Sequence, residues 1–436
     1  MGGARPARGA AGGALDAPDR GHRARDTGLA SVTDVSSPSV AGTPPASAAA
    51  PLDLRGEPFR LFFPMAVTLG AGGVVHWILY GTGLFARYLA SFHAVTQTQS
   101  FLIAFAAGFL LTAVPKRTRT PPASWLEIGA LAALIPGVSF AELFDAPMLA
   151  QALYAAAIVL LVQFAVRRFV GREAGRRPPV SFVLVPIGLG AGVIGALLRI
   201  ASMRDLVPSW MGSLGRSLAL EGVFTCLVLG IGGFFFALAL RGDPPPDLGK
   251  NKGDLRRALL FGAAGAGLLG GLVVQELGFV RAGLLVRAAL AALVLASARG
   301  YEAPVKPGAN RRAVWLAAWA IPAGLLLAAV FPEDRIACMH VTYVGGFGLL
   351  AFAVAAHVAL GHGGYDAQRD GWPWQVFAFA GLFVTAMVLR ATATRMPDVY
   401  MGWLATAAAV WVAGAVLWAV FLVPKMWTPP IGAAAG

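Results

Sequence analysis

Three histidines of this chain stand inside apolar stretches: His76 in VVHWILY, His93 in HAVTQTQ and His340 in CMHVTY. An imidazole in a membrane-crossing segment is expensive unless it holds something. Imidazoles from separate helices can supply two axial haem ligands or most of a copper site, so His76, His93 and His340 are the candidate metal ligands. Each taken alone also has a plainer use, satisfied by a serine or a carbonyl. After His93 the chain runs Thr96, Gln97, Thr98, Gln99, Ser100. At 3.6 residues per turn His93, Thr96, Gln97 and Ser100 share one helix face, and Gln99 lies elsewhere. Such a stripe belongs in a bundle interior, as the wall of a cofactor or substrate site or as hydrogen-bonded glue between helices. Thr96 and Gln97 would then support the ligands. Seventeen residues separate His340 from His357, roughly 25 Å of helix, so the two cannot share a metal. His357 and His362 form a candidate second site at the opposite end, with a structural role at the helix end as the plainer alternative. Arg199, Arg287 and Arg390 are embedded arginines that could clamp haem propionates or a small anion. The alternative for these, and the better reading for Arg281 and Arg395, is snorkelling to head groups. Cys338 precedes His340 by two residues, which on a helix is about 200° of rotation, too far for one ion to take both easily.

These residues need elements to hold them in place, and the composition says which. The chain has 436 residues, 57% hydrophobic and 13% charged, with mean hydropathy +0.68. Twelve apolar blocks are each long enough to cross a bilayer, which takes about 20 residues. They fall at about 58–80, 93–115, 122–143, 147–166, 180–200, 217–240, 258–275, 278–298, 313–331, 337–360, 373–394 and 400–424. Only QELGFVRAG interrupts the seventh and eighth. The expected fold is an all-α polytopic membrane protein, a bundle of about 12 transmembrane helices. No alternating ten-residue segments of an outer-membrane barrel are present. Residues 1–56, rich in Ala, Gly, Pro and Ser, read as a disordered N-terminal tail without the apolar core of a signal peptide. Residues 57–426 are the transmembrane domain and 427–436 a short C-terminal tail.

The net charge of +13 does not point to nucleic acid, because the cations gather in short loops. Loops after even-numbered blocks hold eighteen Lys and Arg against nine for the odd-numbered ones, with Arg199, Arg287 and Arg390 included among the nine. The positive-inside bias puts both termini and the even loops in the cytoplasm, with His76, His93 and His340 near the outer face. The second and tenth blocks each carry a His followed eleven residues later by A-F-A, but their ranks in the two halves of the chain differ, so this is no repeat. There is no GxxxxGKS, HExxH or GxSxG, and no C-x-x-C-H, so any haem is held without covalent attachment. Two other classes fit the same features. A transporter of a small anion or other small cargo would use the polar stripe and the arginines, although no broken-helix pair at matching positions of two halves supports it. A membrane scaffold would retain the sites in degenerate form.

Three stretches together resemble the NnrS family: PFRLFFPMAVTLG in the first block, His93-Ala94 followed by GFLLTAVP in the second, and HVTYVGGFGLLAFAVAAHVALGHGG in the tenth. The likeness covers roughly 58–365. It implies a multi-pass protein of the bacterial inner membrane, linked to nitric oxide metabolism and nitrosative stress, that contains haem (here haem b) and copper, with the lipid bilayer and haem as partners and no nucleic acid. His93, His340 and His362 match the family pattern. Where that pattern has H-A-H-E this chain reads His93-Ala94-Val95-Thr96. Where it has a glycine pair followed by arginine, Phe234 follows Gly232-Gly233, and where it has Thr-Gly-Arg after His362 the chain reads Gly363-Gly364-Tyr365.

Overall fold

The structure is a computed structural model that describes residues 53–242, 247–249, 251–300 and 302–427. Twelve helices are long and apolar enough to cross a membrane. They are α1 (Phe59–Gly81), α2 (Ala90–Thr118), α3 (Trp125–Leu143), α4 (Pro147–Val170), α5 (Val180–Ser202), α6 (Ser209–Gly233, continuing to Arg241), α7 (Lys252–Glu276), α8 (Val280–Ser297), α9 (Ala309–Val330), α10 (Pro332–His362), α11 (Trp374–Arg395) and α12 (Pro397–Trp427). Among the described residues there is no strand. All twelve apolar blocks are helices, including the closely spaced seventh and eighth. Gly278, at φ 99°, closes α7 in a backbone conformation that costs a side-chain-bearing residue strain, and α8 begins two residues later. Helices α2, α6, α7 and α10 start earlier than their apolar cores because polar first turns extend them.

Residues 1–52 of the expected tail, and 428–436 of the C-terminal one, lie outside the described residues. Asp53 to Gly56 form a turn, with Asp53 Oδ1 accepting from the backbone N–H of Arg55 and Gly56, and Arg55 Nε donates to Ala123 O at 3.0 Å.

Helices adjacent in sequence pack as antiparallel pairs, and α12 returns against α1. Lipid tails are as apolar as leucine, so association between such helices rests on close packing and on polar groups. The α3–α4 hairpin shows how. Ser124 and Glu127 form a reciprocal capping box at the start of α3, and the Glu127 carboxylate also takes Arg168 of α4 in two hydrogen bonds of 3.0 and 2.9 Å. One carboxylate thus starts a helix and ties down its neighbour. In the core, Gln99 of α2 and Gln151 of α4 exchange amide hydrogen bonds of 3.3 and 3.0 Å.

Helices α2, α6 and α10 are the most deeply buried of the twelve. Each contains a stretch of π-helix: Thr96–Leu102 in α2, Leu218–Gly222 in α6 and Val341–Gly348 in α10. The A-F-A segments of α2 and α10 meet in the core through Phe105 and Phe352, ring centroids 5.4 Å apart. The α2 and α10 π-segments begin within three residues of His93 and His340, so in both helices the histidine sits where the backbone changes pitch.

The histidine cluster between α1, α2 and α10

Local sequence decides how closely α1 and α2 approach. A Cβ on Gly73 would stand 2.6 Å from Gln97 Nε2 and 2.8 Å from Thr96 Cγ2. Only glycine lets α2 lie directly on the α1 backbone, and with the side chain absent the Gly73 carbonyl is open to α2. It accepts two imidazoles, His76 Nδ1 at 3.1 Å and His93 Nδ1 at 2.8 Å. One turn lower, Gln97 Nε2 donates to Gly70 O at 2.7 Å. The His76 and His93 ring centroids are 5.8 Å apart, and Trp77 packs on both at 4.2 and 5.6 Å. His340 lies within electrostatic reach of His93, and Arg390 of α11 within reach of both. Tyr88 and Tyr400 are the phenols nearest Arg390 in the same sense.

The tautomers follow from the partners. A carbonyl oxygen only accepts, so each Nδ1 bonded to one must carry the proton. This holds for His76 and His93 on Gly73 O, and for His340, whose Nδ1 donates to Ile336 O at 2.6 Å. All three neutral rings therefore present Nε2 as the lone-pair nitrogen, as a metal-ligating histidine held by a backbone carbonyl does. Three polar atoms around them are buried without a partner: His76 Nε2, Thr96 Oγ1 and Arg390 Nη1.

The polar stripe expected on α2 divides. His93 and Gln97 face α1, whereas Ser100 Oγ donates to Ile135 O of α3 at 3.0 Å and receives Ser139 Oγ at 2.8 Å. The π-segment is the reason. Its wider turn shifts the phase of everything after Thr96, so a face drawn with 3.6 residues per turn does not continue to Ser100. Thr96 stays beside Gly73, buried, its hydroxyl at the position where the family pattern has an acid.

The arginines separate. Arg287 is fully buried, held by Glu221 of the α6 π-segment at 2.7 Å and by Gln275 of α7 at 2.6 Å. It is thus committed to a structural ion pair, which its sequence surroundings did not show because Glu221 lies 66 positions away. The charged neighbours of Arg199 are Arg216 and Glu142, not the histidines. Arg395 pairs with Asp334 at the surface. Of the embedded arginines, Arg390 alone joins the histidine cluster.

At the opposite end, His357 and His362 are not brought to one point. Five residues along a helix turn them about 140° apart. His357 lies edge-on to Phe235 at 5.5 Å with its Nδ1 unpartnered, and His362 donates to Glu57 Oε1 at 2.6 Å and packs on Phe59 at 5.1 Å. Lys116 Nζ is 3.8 Å from the same carboxylate, and Arg60 also bonds it, at 2.5 Å. His362 is therefore part of an ionic latch joining the entry of α1 to the ends of α2 and α10. The residues after it close the helix, and the Tyr365 ring lies 5.6 Å beneath the Lys425 ammonium of α12.

As a donor set the cluster suits an iron with imidazole axial ligands: neutral Nε2 nitrogens on separate helices, and a cation with a free N–H for a carboxylate. Among the described residues no three His, Cys, Asp or Glu side chains are placed to hold one metal ion, so the three-histidine metal site expected from the sequence is not assembled as such. Residues 53–429 match the family model described as NnrS protein. No curated protein matches the chain.

Proposed function

The chain belongs to the NnrS family, and on that premise we propose that it is a haem-binding protein of nitric oxide metabolism and the nitrosative-stress response, seated in a bacterial inner membrane. The observation that carries this reading is the shared tautomer of the three imidazoles, each with Nδ1–H fixed on a backbone carbonyl and Nε2 left as a base. Haem, when bound, supplies an iron that takes a diatomic ligand and exchanges one electron. His93 and His340, from the two central helices, are the residues that would hold the haem, with His76 as the third candidate. Gly73 O orients both α1-side rings, Gln97 holds α2 at the distance that keeps them there, and Arg390 offers its free Nη1 to a propionate. Arg199, whose neighbours lie elsewhere, has no part in this arrangement. For copper the available donors are the His76–His93 pair, and among the described residues no third ligand is assembled beside them.

Protein purified from haem-replete cells should show a Soret band that His93→Ala and His340→Ala each abolish or shift. No Soret band, together with no copper by elemental analysis, rejects the proposal. A carrier of a small anion is the second reading. It now rests on Arg390, the one embedded arginine of the cluster with an unpartnered nitrogen. Anion flux into proteoliposomes by metal-free protein, lost in Arg390→Gln, would favour it.

A further inference from the structure

Beneath the histidines, where α1, α2, α6 and α10 meet, lies a cavity of about 100 Å³. Its wall includes Leu102, Phe105 and Ala106 of α2, Phe224 of α6, and Phe347 and Ala351 of α10, and no lining side chain carries a hydrogen-bonding group. A water molecule needs two to four polar partners to stay in such a space, and a cavity of about 150 Å³ with a wall of this kind is known to remain dry and to bind xenon or benzene. Ions and polar metabolites are excluded by desolvation. The volume suits a few atoms.

Its position matters as much as its chemistry. Phe347 is seven residues beyond His340 and Leu102 nine beyond His93, so the cavity begins about two helical turns below the imidazoles. Both residues belong to the π-segments that follow those histidines. The same backbone irregularities that place the histidines also shape the wall.

We propose that this cavity is a chamber for small uncharged diatomic gases, filled from the bilayer, where such gases concentrate, and placed to supply the histidine cluster. The proposal rests on the haem reading for its purpose but not for its test, because xenon probes the chamber with no haem present. Exchange NMR with hyperpolarised xenon on the full chain in lipid nanodiscs should show a saturable bound signal. Ala351→Phe on α10 and Ala106→Leu on α2 fill the space from two different helices, so misfolding of one variant leaves the other to decide. Each should weaken xenon binding by about tenfold or more, roughly 1.4 kcal/mol, with the folded fraction retained. An equal xenon signal in wild type and both filled variants, the mark of simple partition into lipid, overturns the proposal. So does the absence of any saturable signal, or an acyl chain resolved in the cavity that xenon does not displace. Xenon binding without a Soret band would leave the chamber standing and remove the haem reading; the reverse result would do the opposite.

Discussion

Gly73 O accepts two imidazole N–H groups at once, and this single atom sets the orientation of both rings on the α1 side of the site. Its accessibility depends on the missing side chain. Gly73→Ala would put a methyl within 2.6 Å of Gln97 Nε2 and push α2 away, so we expect a loss of about 1–3 kcal/mol and a weakened or shifted haem spectrum, measured by thermal unfolding in detergent and by absorbance. At the other end Glu57 lies just ahead of α1. Burial works to raise its carboxyl, but hydrogen bonds from His362 and Arg60, with their charges, outweigh it and hold the group at about 2, below its ordinary 4.5. A carboxylate whose folded value is depressed stabilises the fold above its unfolded value and loses that contribution as pH falls toward the folded one. The thermal midpoint should therefore decline between pH 4.5 and about 2, and Glu57→Gln should lower the midpoint at neutral pH while flattening that decline.

Among the elements, the π-segments of α2, α6 and α10 set the three most deeply buried helices apart from the other apolar ones. Each adds backbone relative to an α-helix and so rotates the residues before it against those after it. In α10 the Val341–Gly348 segment separates His340 from the packed Leu349–Phe352 region. Deleting one residue from this segment should let it revert to α-helix and change the aim of His340 against the fixed lower half. The expected outcome is a folded, helical protein that no longer retains haem. Unchanged haem content in a well-folded deletion variant would show that the pitch change does not aim the histidine. The Arg287–Glu221–Gln275 network belongs to this scale as well. It uses the α6 π-segment to present a carboxylate to α8, and it neutralises a cation that would otherwise be costly at that depth.

For the whole molecule, the remaining variable is direction. Twelve helices long and apolar enough to cross a membrane would put both ends of the described chain on the same side, and the positive-inside bias of the loops after even-numbered helices predicts that this side is the cytoplasm. In a background with Cys226 and Cys338 replaced, Arg172→Cys should react with a membrane-impermeant thiol reagent only after the cells are opened, and Leu84→Cys should react in intact cells. The opposite pattern would move the histidine cluster to the cytoplasmic side and remove its outer-face assignment.

The sequence by itself determined the all-helical class, the twelve crossings and the family, because apolar length and loop charge are local quantities that a chain displays without folding. It also made His76, His93, His340 and Arg390 candidates, along with Arg199, Arg287, His357 and His362, since an ionisable group in an apolar block stands out by type alone. Only the tertiary structure decided which of these meet. It divided the α2 stripe through a π-turn that composition does not encode. It paired Arg287 with a carboxylate distant in the chain, and it sent His357 and His362 to different neighbours. Side-chain direction depends on helix pitch and on which backbone comes close enough to offer a carbonyl, and both are set by packing between helices rather than by the order of residues along one of them.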